Sequence, residues 1–559
     1  MKMKWNFLDM IKIGYLDPSS IPTRTNFNYN WMLFKCFYED FGKYPDQVEW
    51  VEPLYKWNET NLDDILYSLQ DCDIVLFTSY VWNYKINKKV VDRLSKDTVT
   101  ILGGPHQNFE IVRYYDHVAD PTAPGELFLQ FFIDMFLENN IIKNNIPYYN
   151  NGLKLPYKFG SSNVYKRCGE YLRKCYNYFN ENIDYFQEMI IVYESTRGCP
   201  FKCTYCEWGG GTATKTLKKT IDVIKDELEF LGTFDNLKLD LTDANTGMLK
   251  KRDIEMMLIM KENNVQVGDT ISVLKTLKVE DKIDIIDFMI ENEITSRTIS
   301  ISVQSISKKA RDIAKRIDLE YDDTIKLIDH IKDRWGNLHD KDLYVDLELI
   351  LGMPGSTLED FYDEFKLYYR LSSNVSKSPE GQPWQNFRDG RFPYMILPAT
   401  ESASPVYQRK YGIKTARVAT FFDNNYQFDP AIDKPNLLYE NHHYEYDTII
   451  ECFSYTFEEY IEMFIMNIYT PILFEAFTKE YITFENISVV AKELWNTLNK
   501  ISTFNVYKEL IKRIFNSNDV RSLDKFGEGN FDDLSIEEVL RNLLYENENL
   551  IRKNLDAVC

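Results

Sequence analysis

The sequence lacks the features expected of an exported or membrane-bound protein. Its 559 residues contain no apolar run that approaches the roughly 20 residues of a membrane-spanning helix. The opening "MKMKWNFLDM" is too short in its apolar part for a signal peptide. Nine cysteines are an odd number, and most are scattered without the spacing of a disulfide framework. We therefore expect a cytoplasmic protein with no membrane segment.

Basic residues are also scarce relative to acidic ones. The chain has 65 lysines and arginines against 86 aspartates and glutamates, a net charge of −21. Nucleic acids and anionic membranes both require a cationic protein surface, so neither is an expected partner. A small molecule or a peptide is the more natural substrate. The 44% of hydrophobic residues and 27% of charged residues are ordinary for a globular protein.

Strand-like and helix-like segments alternate through residues 1–140. The strand-like segments are "IKIGYL", "VEWVE", "DIVLFTSY" and "TVTILGG", with amphipathic helices between them. This alternation predicts an α/β class domain, a doubly wound, Rossmann-like parallel sheet whose ligands bind at the carboxyl ends of the strands. Residues 141–188 are rich in Asn, Gly, Pro and Tyr, which predicts a linker that wraps over the surface.

A second alternating series occupies residues 189–440. It runs through "MIIVYEST", "LKLDLTD", "VQVGDTISVL", "RTISISVQS", "LYVDLELILG" and "RFPYMILP". Six strands with intervening helices predict a partial (β/α)6 barrel with its active face at the carboxyl ends of the strands. Residues 441–559 have a mostly helical pattern and are expected to form a helical carboxyl-terminal domain.

The stretch "STRGCPFKCTYCEWGGG" holds three of the cysteines, Cys199, Cys203 and Cys206, directly after the first strand of the second series. Thiolates are soft ligands suited to zinc, copper(I) or iron–sulfur clusters. A structural zinc site needs four ligands, and the next cysteine is the distant Cys452. Glycine, proline and charged neighbours disfavour the other alternative, that these are ordinary core cysteines. Three thiolates can hold three irons of a [4Fe–4S] cluster and leave the fourth open for a ligand.

The spacing C-x3-C-x2-C, with Tyr205 before the last cysteine, resembles that of the radical S-adenosylmethionine (SAM) enzymes. The resemblance implies that Cys199, Cys203 and Cys206 bind the cluster and that SAM chelates the open iron. Electron transfer to SAM then releases a 5′-deoxyadenosyl radical. It also implies an external low-potential electron donor such as flavodoxin or ferredoxin.

Further segments resemble this family in the same order along the chain. They are "DANTG", "ISISVQS", "AKR" and "LILGMPGST", which place Asp243, Asn245, Ser302, Gln304, Arg316 and Gly352 in the predicted SAM site. Taken alone, Ser302 and Gln304 also fit the alternating polar residues of a strand. Likewise, "GMPGS" also fits an ordinary turn before a helix.

The amino-terminal part resembles the cobalamin-binding domain of one branch of the family. The segments that carry the resemblance are "TSYVWN" (Ser79, Tyr80, Trp82, Asn83), "GGPH" (Gly103, Gly104, Pro105, His106) and "PGE" (Gly125, Glu126). The paired glycines permit close approach of a large planar ligand or its nucleotide tail, and the helix start at Gly125 favours an anion. The D-x-H-x-x-G motif of the cobalamin mutases is missing, so the lower cobalt ligand is unassigned. His106 as a structural loop residue, and a domain that has lost cobalamin, are the alternatives.

Together these features predict a cobalamin-dependent radical SAM C-methyltransferase that acts on an unactivated carbon of a peptide or natural-product precursor. As the resemblance implies, cobalamin passes a methyl group from one SAM to a substrate radical generated with a second SAM. The alternative is a radical rearrangement, epimerisation or ring contraction without methyl transfer. A non-catalytic cofactor-binding sensor is a third, less favoured, hypothesis.

Overall fold

The fold is described from a computed structural model of the chain. The residues described are 10–18, 24–26, 28–54, 62–81, 83–119, 125–138, 163–182, 188–208, 216–235, 237–268, 270–272, 275–276, 278–294, 298–335, 344–372, 391–421, 443–477, 483–516 and 536–555. Among the described helices, none is long and apolar enough to cross a bilayer.

The amino-terminal part forms a parallel α/β layer, as the sequence predicts. Its strands are β1 (Ile11–Leu16), β2 (Arg24–Asn26), β3 (Val48–Trp50), β4 (Ile74–Thr78), β5 (Val99–Gly103) and β6 (His117–Val118). Its helices are α1 (Tyr29–Phe41), α2 (Leu62–Leu69), α3 (Tyr84–Val91), α4 (Phe109–Val112) and α5 (Gly125–Leu137). The central strand β4, "IVLFT", is buried throughout, because helices cover both faces of the sheet.

The order of strands in this sheet locates its ligand-binding edge. The sheet runs β3-β1-β4-β5-β6, with all strands parallel. The chain order reverses between β1 and β4, and ligands of such sheets bind at this switch point, beyond the carboxyl ends of the strands. Strand β2 does not join this sheet; it pairs with the first strand of the barrel.

Part of the predicted linker is instead packed structure. Within residues 141–188 the chain forms α6 (Val164–Arg167) and α7 (Gly169–Glu181). Tyr171, Leu172, Cys175 and Tyr178 are buried in the main hydrophobic core. The linker prediction is therefore wrong for 163–182, because these apolar residues recur at helical spacing and bury one face of α7.

The second series forms the predicted barrel strands and their helices. The strands are β7 (Glu188–Tyr193), β8 (Thr196–Arg197), β9 (Leu217–Lys218), β10 (Lys238–Leu241), β11 (Gln266–Val267), β12 (Thr270–Ser272), β13 (Thr298–Gln304), β14 (Tyr344–Leu351), β15 (Arg391–Pro393) and β16 (Met395–Ile396). The helices are α8 (Ile221–Leu231), α9 (Lys250–Glu262), α10 (Val279–Glu291), α11 (Lys308–Ile313), α12 (Tyr321–Trp335), α13 (Leu358–Ser372) and α14 (Pro405–Lys410).

Parallel pairing follows the predicted order of barrel strands. One sheet runs β11-β10-β7-β2 and the other β12-β13-β14-β15. Segments β11 and β12 are the two halves of the predicted third strand, so pairing passes from one sheet to the other through this strand. The carboxyl ends of β7, β10, β13 and β14 therefore share one edge, where the cysteine stretch begins.

The last part of the chain combines two strands with helices. The strands β17 (Lys414–Phe421) and β18 (His443–Glu451) are antiparallel, and β16 pairs with β18. The helices are α15 (Phe457–Phe477), α16 (Ile487–Leu498), α17 (Ser502–Asn516), α18 (Ile536–Glu546) and α19 (Glu548–Leu555). Their buried residues belong to the same core as the barrel helices, so this part packs directly on the barrel.

Candidate active site

The three cysteines of the predicted cluster site share one loop after β8. Cys199 and Cys203 are buried and Cys206 is partly buried. Gly198 enters the loop with φ +86°, a conformation that glycine adopts without strain. Thr204 anchors the loop: its N–H donates to the Ala314 carbonyl at 3.0 Å. The Ser402 N–H in turn donates to the Thr204 carbonyl at 2.9 Å, so two distant segments fix the position of the thiols.

Three cysteine sulfurs are the donor set in this loop, and thiolates are the ligands of iron–sulfur clusters. Within the described ranges, no three His, Cys, Asp or Glu side chains are placed to bind one metal ion together. The thiolates of a four-iron cluster each bind a different iron, so they stand farther apart than the ligands of one ion. The Asn245 amide donates to the Cys199 sulfur at 3.2 Å, and hydrogen bonds to sulfur are a known influence on cluster potentials.

Asp243 holds the start of this loop. Its Oδ1 accepts the Ser195 and Thr196 N–H groups, each at 2.8 Å, and its Oδ2 accepts the Ser195 hydroxyl. Burial raises the pKa of Asp243, and the hydrogen bonds from Ser195 and Thr196 oppose that shift. Both oxygens of Asp243 thus have protein donors, whereas Asn245 Oδ1 is buried with no partner among the described residues. Asn245 therefore has an acceptor available for a ligand.

Ser302 and Gln304 lie on β13, as predicted, at the end nearest the cysteine loop. The Ser302 hydroxyl donates to Glu348 of β14, and the Ser300 hydroxyl donates to the other oxygen of the same carboxylate. Gln304 has φ +69° beside an irregularity in the pairing of β13 with β14. A left-handed backbone is uncommon for glutamine and concentrates at functional sites. The backbone at the end of β13 is therefore strained at Gln304.

Arg316 lies against the cysteine loop. Its guanidinium donates to the Ser302 carbonyl and to Asp318 Oδ2, the latter at 2.6 Å. Burial lowers the pKa of Arg316, but the neighbouring Tyr205, Asp318 and Cys203 raise it overall, so the side chain is a cation. Lys282 donates to the same Asp318 carboxylate at 2.7 Å. Two buried cations thus share one buried carboxylate, which leaves positive charge next to Cys203.

Gly352 packs closely against two tyrosine side chains. It has φ +80°, and a Cβ there would lie 2.9 Å from the Tyr455 hydroxyl and 3.3 Å from the Tyr460 ring. The Tyr455 hydroxyl donates to the Gly352 carbonyl at 2.6 Å. Packing of the tyrosines against the backbone therefore requires glycine here, and its predicted place in the SAM site stays a prediction.

Asp17 is a site residue that the sequence reasoning missed. It follows β1 at the switch point, where the Thr78 hydroxyl at the end of β4 donates to its Oδ1 at 2.5 Å. The Tyr15 hydroxyl donates to its Oδ2 at 3.2 Å. Burial raises the pKa of Asp17 to about 6, and the bonds from Thr78 and Tyr15 oppose the shift. The sequence signal for Asp17 was its position immediately after the buried strand β1.

The predicted cobalamin loops after β4 and β5 pack on each other. The Ser79 hydroxyl donates to the His106 carbonyl at 2.6 Å, and the His106 N–H donates to the Ser79 carbonyl at 3.0 Å. Gly104 has φ +88°, and a Cβ there would lie 2.6 Å from the Ser79 carbonyl oxygen. Contact between the two loops thus requires glycine at position 104, and its predicted role in ligand approach stays a prediction. Gly103 and Pro105 flank it in the same turn.

His106 has an unsatisfied side chain in this junction. Both ring nitrogens are buried without a hydrogen-bond partner among the described residues. The ring packs 5.3 Å from that of Tyr84. Burial, and then the charge of Arg417, lower the pKa of His106 to about 4, so the ring is neutral at pH 7. A neutral imidazole offers one donor and one acceptor to a ligand.

Two other predicted residues organise the turn before α3. The Asn83 side chain accepts the Tyr80 N–H at 2.8 Å, and its amide lies 3.4 Å from Asp17 Oδ1. Trp82, also predicted to contact cobalamin, lies outside the described residues. The sequence motif therefore brings Tyr80 and Asn83 to the switch point.

Glu126 contacts the cysteine loop. It lies in the first turn of α5 with 3% of its side chain exposed and forms an ion pair with Arg197 at 2.5 Å. Arg197 also pairs with Glu194 at 2.8 Å. The Glu126 carboxylate thus supplies negative charge at this helix start, and the prediction that Gly125 and Glu126 contact a ligand stays a prediction.

Comparison with known proteins identifies the class of the barrel. Residues 193–368 match the family model of the radical SAM superfamily. The chain therefore carries a radical SAM domain, and its cysteine loop is the one that the family spacing predicts.

About three quarters of the chain is similar to two curated methyltransferases, one of which is named as a cobalamin-dependent radical SAM enzyme. It is 21% identical over 440 residues to the cobalamin-dependent radical SAM methyltransferase TokK of Streptomyces tokunonensis, covering 74% of this chain and 60% of TokK. It is 20% identical over 452 residues to 2-(S-pantetheinyl)-carbapenam-3-carboxylate methyltransferase of Streptantibioticus cattleyicolor, covering 76% of this chain and 61% of that enzyme. The chain thus spans about three fifths of the length of these curated relatives.

Solved structures confirm the predicted fold class. The radical SAM methyltransferase TsrM from Kitasatospora setae, with cobalamin and a [4Fe–4S] cluster bound, matches with a TM-score of 0.54 at 13% identity over 98% of this chain and 100% of TsrM. The cobalamin-dependent enzyme OxsB, with aquacobalamin and SAM bound, matches with a TM-score of 0.55 at 12% identity over 99% of this chain and 80% of OxsB. The α/β layer followed by the barrel is thus the fold of cobalamin-dependent radical SAM enzymes.

Proposed function

We propose that this protein is a cobalamin-dependent radical SAM C-methyltransferase that acts on an unactivated carbon of a peptide or natural-product precursor. The observation that carries the proposal is the cysteine loop at the carboxyl edge of the barrel, joined to the α/β layer through Arg197 and Glu126. The cofactors would supply the radical and the transferable methyl group, and the protein would supply binding and placement.

Cys199, Cys203 and Cys206 would bind three irons of the cluster and leave one iron open for SAM. Asn245 would orient Cys199 through its hydrogen bond to the sulfur. The Asn245 Oδ1 and Thr246 Oγ1 atoms are buried without partners among the described residues, which suits them to accept hydrogen bonds from the amino group of SAM. Arg316 would balance the negative charge of the thiolates.

The loops at the switch point would hold cobalamin. His106 would donate or accept one hydrogen bond through an imidazole nitrogen that has no partner among the described residues. Asp17, Thr78 and Asn83 form a polar group at the carboxyl ends of β1 and β4, where ligands of such sheets bind. Tyr80 is adjacent to this group and would contact the same ligand.

Burial of these groups supports a reaction that excludes water. Asp243, Asn245, Arg316 and His106 are all less than 9% exposed. A closed, low-dielectric site strengthens each electrostatic contact and limits quenching of a reactive intermediate by solvent.

Methyl transfer from SAM to cobalamin can be tested without a known substrate. Anaerobically reconstituted protein is incubated with hydroxocobalamin, a low-potential reductant and SAM carrying a trideuterated methyl group, and cobalamin is then extracted for mass spectrometry. We expect trideuteromethylcobalamin with the wild type. Cobalamin that is retained but carries no label would contradict the methyltransferase assignment. A protein-free mixture is the control for spontaneous methylation.

A further inference from the structure

The outer side of the cysteine loop is covered by a distinct surface, which we call the α11–α14 face. It consists of the exposed residues of α11 and α14 together with Lys315, Glu401, the segment Tyr411–Lys414, Glu451 and Phe453. Thr204, between Cys203 and Cys206, bonds to Ala314 at the end of α11. It also bonds to Ser402, two residues before the turn that starts α14. This face is therefore the layer of protein directly outside the loop.

Its charge is opposite to that of the whole chain. Its exposed cations are Lys308, Lys309, Lys315, Arg409, Lys410 and Lys414. Its carboxylates are Asp312, Glu401 and Glu451, which pair with Lys308, Lys315 and Lys414 respectively. Lys309, Arg409 and Lys410 have no carboxylate partner within the part of the chain that the structure describes. Six cations against three anions give this face a positive charge on a chain of net charge −21.

The same face exposes apolar side chains. Phe453 is 48% exposed and Val406 is 69% exposed. The Lys309 ammonium lies 4.7 Å from the centre of the Phe453 ring. Exposed apolar side chains rimmed by charged residues are a feature of protein-interaction sites.

Ring contacts connect this surface with the loop. The Phe453 and Tyr411 rings are 5.9 Å apart, and the Tyr411 and Tyr407 rings are 4.7 Å apart. The Tyr407 hydroxyl lies 3.2 Å from the Thr204 hydroxyl. The rings of Phe453, Tyr411 and Tyr407 therefore connect a partner on this face with the cysteine loop.

We propose that the α11–α14 face docks an acidic flavodoxin that delivers one electron to the cluster. The inference rests on the proposed function. The fully reduced flavin gives up one electron, and the oxidised cluster bound by Cys199, Cys203 and Cys206 takes it up. Charge complementarity selects this partner: flavodoxins are acidic proteins, and most of this chain would repel them. Encounters of this kind are small and transient, which suits a face of limited area.

The test is the rate at which reduced flavodoxin reduces the reconstituted cluster, followed by stopped-flow absorbance at low and high salt. The variant Lys309→Glu/Lys410→Glu reverses two charges on the face. The matched control, Lys225→Glu/Lys261→Glu, reverses two exposed charges on α8 and α9. Electrostatic steering changes association rates by about 10- to 1,000-fold, so we expect at least a tenfold loss at low salt for the first variant only. The difference should shrink at high salt because salt screens exposed charges.

Reduction by excess dithionite, quantified by electron paramagnetic resonance, measures intact cluster separately in each protein. Equal rates for the variant and the wild type, with equal intact cluster, would overturn the docking surface and leave the proposed function standing. An equal loss in the control variant would also overturn it, since the effect would then be one of net charge. A wild-type protein with no reducible cluster would overturn the proposed function, and the docking surface with it.

Discussion

Arg197, two residues before Cys199, forms an ion pair with Glu126, in the first turn of α5, although 71 residues separate them in sequence. Arg197 also pairs with Glu194, which accepts a hydrogen bond from the Tyr29 hydroxyl at 3.2 Å. The start of the cysteine loop is thus held by α1 and α5 of the α/β layer. This connection fixes the two proposed cofactor sites relative to each other.

Removing Glu126 tests that connection. Glu126→Gln removes a buried carboxylate from the partly buried Arg197, and we expect a loss of about 1–3 kcal/mol in the free energy of unfolding, measured in urea. The charge exchange Glu126→Arg/Arg197→Glu should recover part of the loss. The control is the more exposed pair of Lys43 and Glu138, where Lys43→Ala should lower the free energy of unfolding much less, because surface ion pairs contribute little to stability. Equal costs in the two pairs would contradict the account.

The cysteine loop gives a second prediction. Each of the variants Cys199→Ala, Cys203→Ala and Cys206→Ala should lose most of the iron retained after anaerobic reconstitution, because three thiolates are the minimum for this cluster. Cys452→Ala should retain the iron content of the wild type, since Cys452 lies outside the loop. Asn245→Ala should also keep its iron but shift the reduction potential, because the hydrogen bond to the Cys199 sulfur is lost. Full iron in a loop variant would show that its cysteine is not a ligand.

Asp17 gives a pH-dependent prediction. Its pKa is raised to about 6 from 3.8, so between these values the folded protein binds a proton that the unfolded chain has released. Protonated Asp17 therefore stabilises the folded protein at low pH, and this stabilisation is lost as the pH rises through 6. Between pH 5 and 7.5 the free energy of unfolding of the wild type should fall by roughly 1.4 kcal/mol relative to that of Asp17→Asn, because one pKa unit corresponds to about 1.36 kcal/mol. Urea unfolding of both proteins without cofactors, repeated across this pH range, measures the difference. Curves of unfolding free energy against pH that run parallel for the two proteins would contradict a raised pKa of Asp17.

Two adjacent glycines provide a matched pair of variants. Gly104→Ala places a Cβ 2.6 Å from the Ser79 carbonyl oxygen at φ +88°, whereas the nearest atom to a Cβ on Gly103 is 3.7 Å away. We expect Gly104→Ala to cost about 1–3 kcal/mol in unfolding free energy and to weaken retention of corrin on a desalting column. Gly103→Ala should cost less than about 1 kcal/mol. The same cost at both positions would mean that loop contact is not the reason for Gly104.

The sequence was sufficient to predict features that depend on local pattern. Buried parallel strands such as β4 are continuous apolar runs, and the cysteine spacing is contained in eight residues, Cys199–Cys206. Contacts between distant loops leave no local pattern, so Asp17 with Thr78 and Arg197 with Glu126 were missed. Helix α7 was missed because the stretch before it, rich in Asn, Gly, Pro and Tyr, decided the interpretation of residues 141–188. Tyr171, Cys175 and Tyr178 nevertheless recur at helical spacing.

The central claim is that one chain binds both a four-iron cluster and cobalamin. The most direct measurement is the iron and sulfide content per chain after anaerobic reconstitution, together with the ultraviolet–visible spectrum after incubation with hydroxocobalamin and desalting. We predict about four irons per chain and retained corrin absorption bands. Four irons without retained corrin would contradict the account: the α/β layer would need another function, and the chemistry would be that of a radical SAM enzyme without cobalamin.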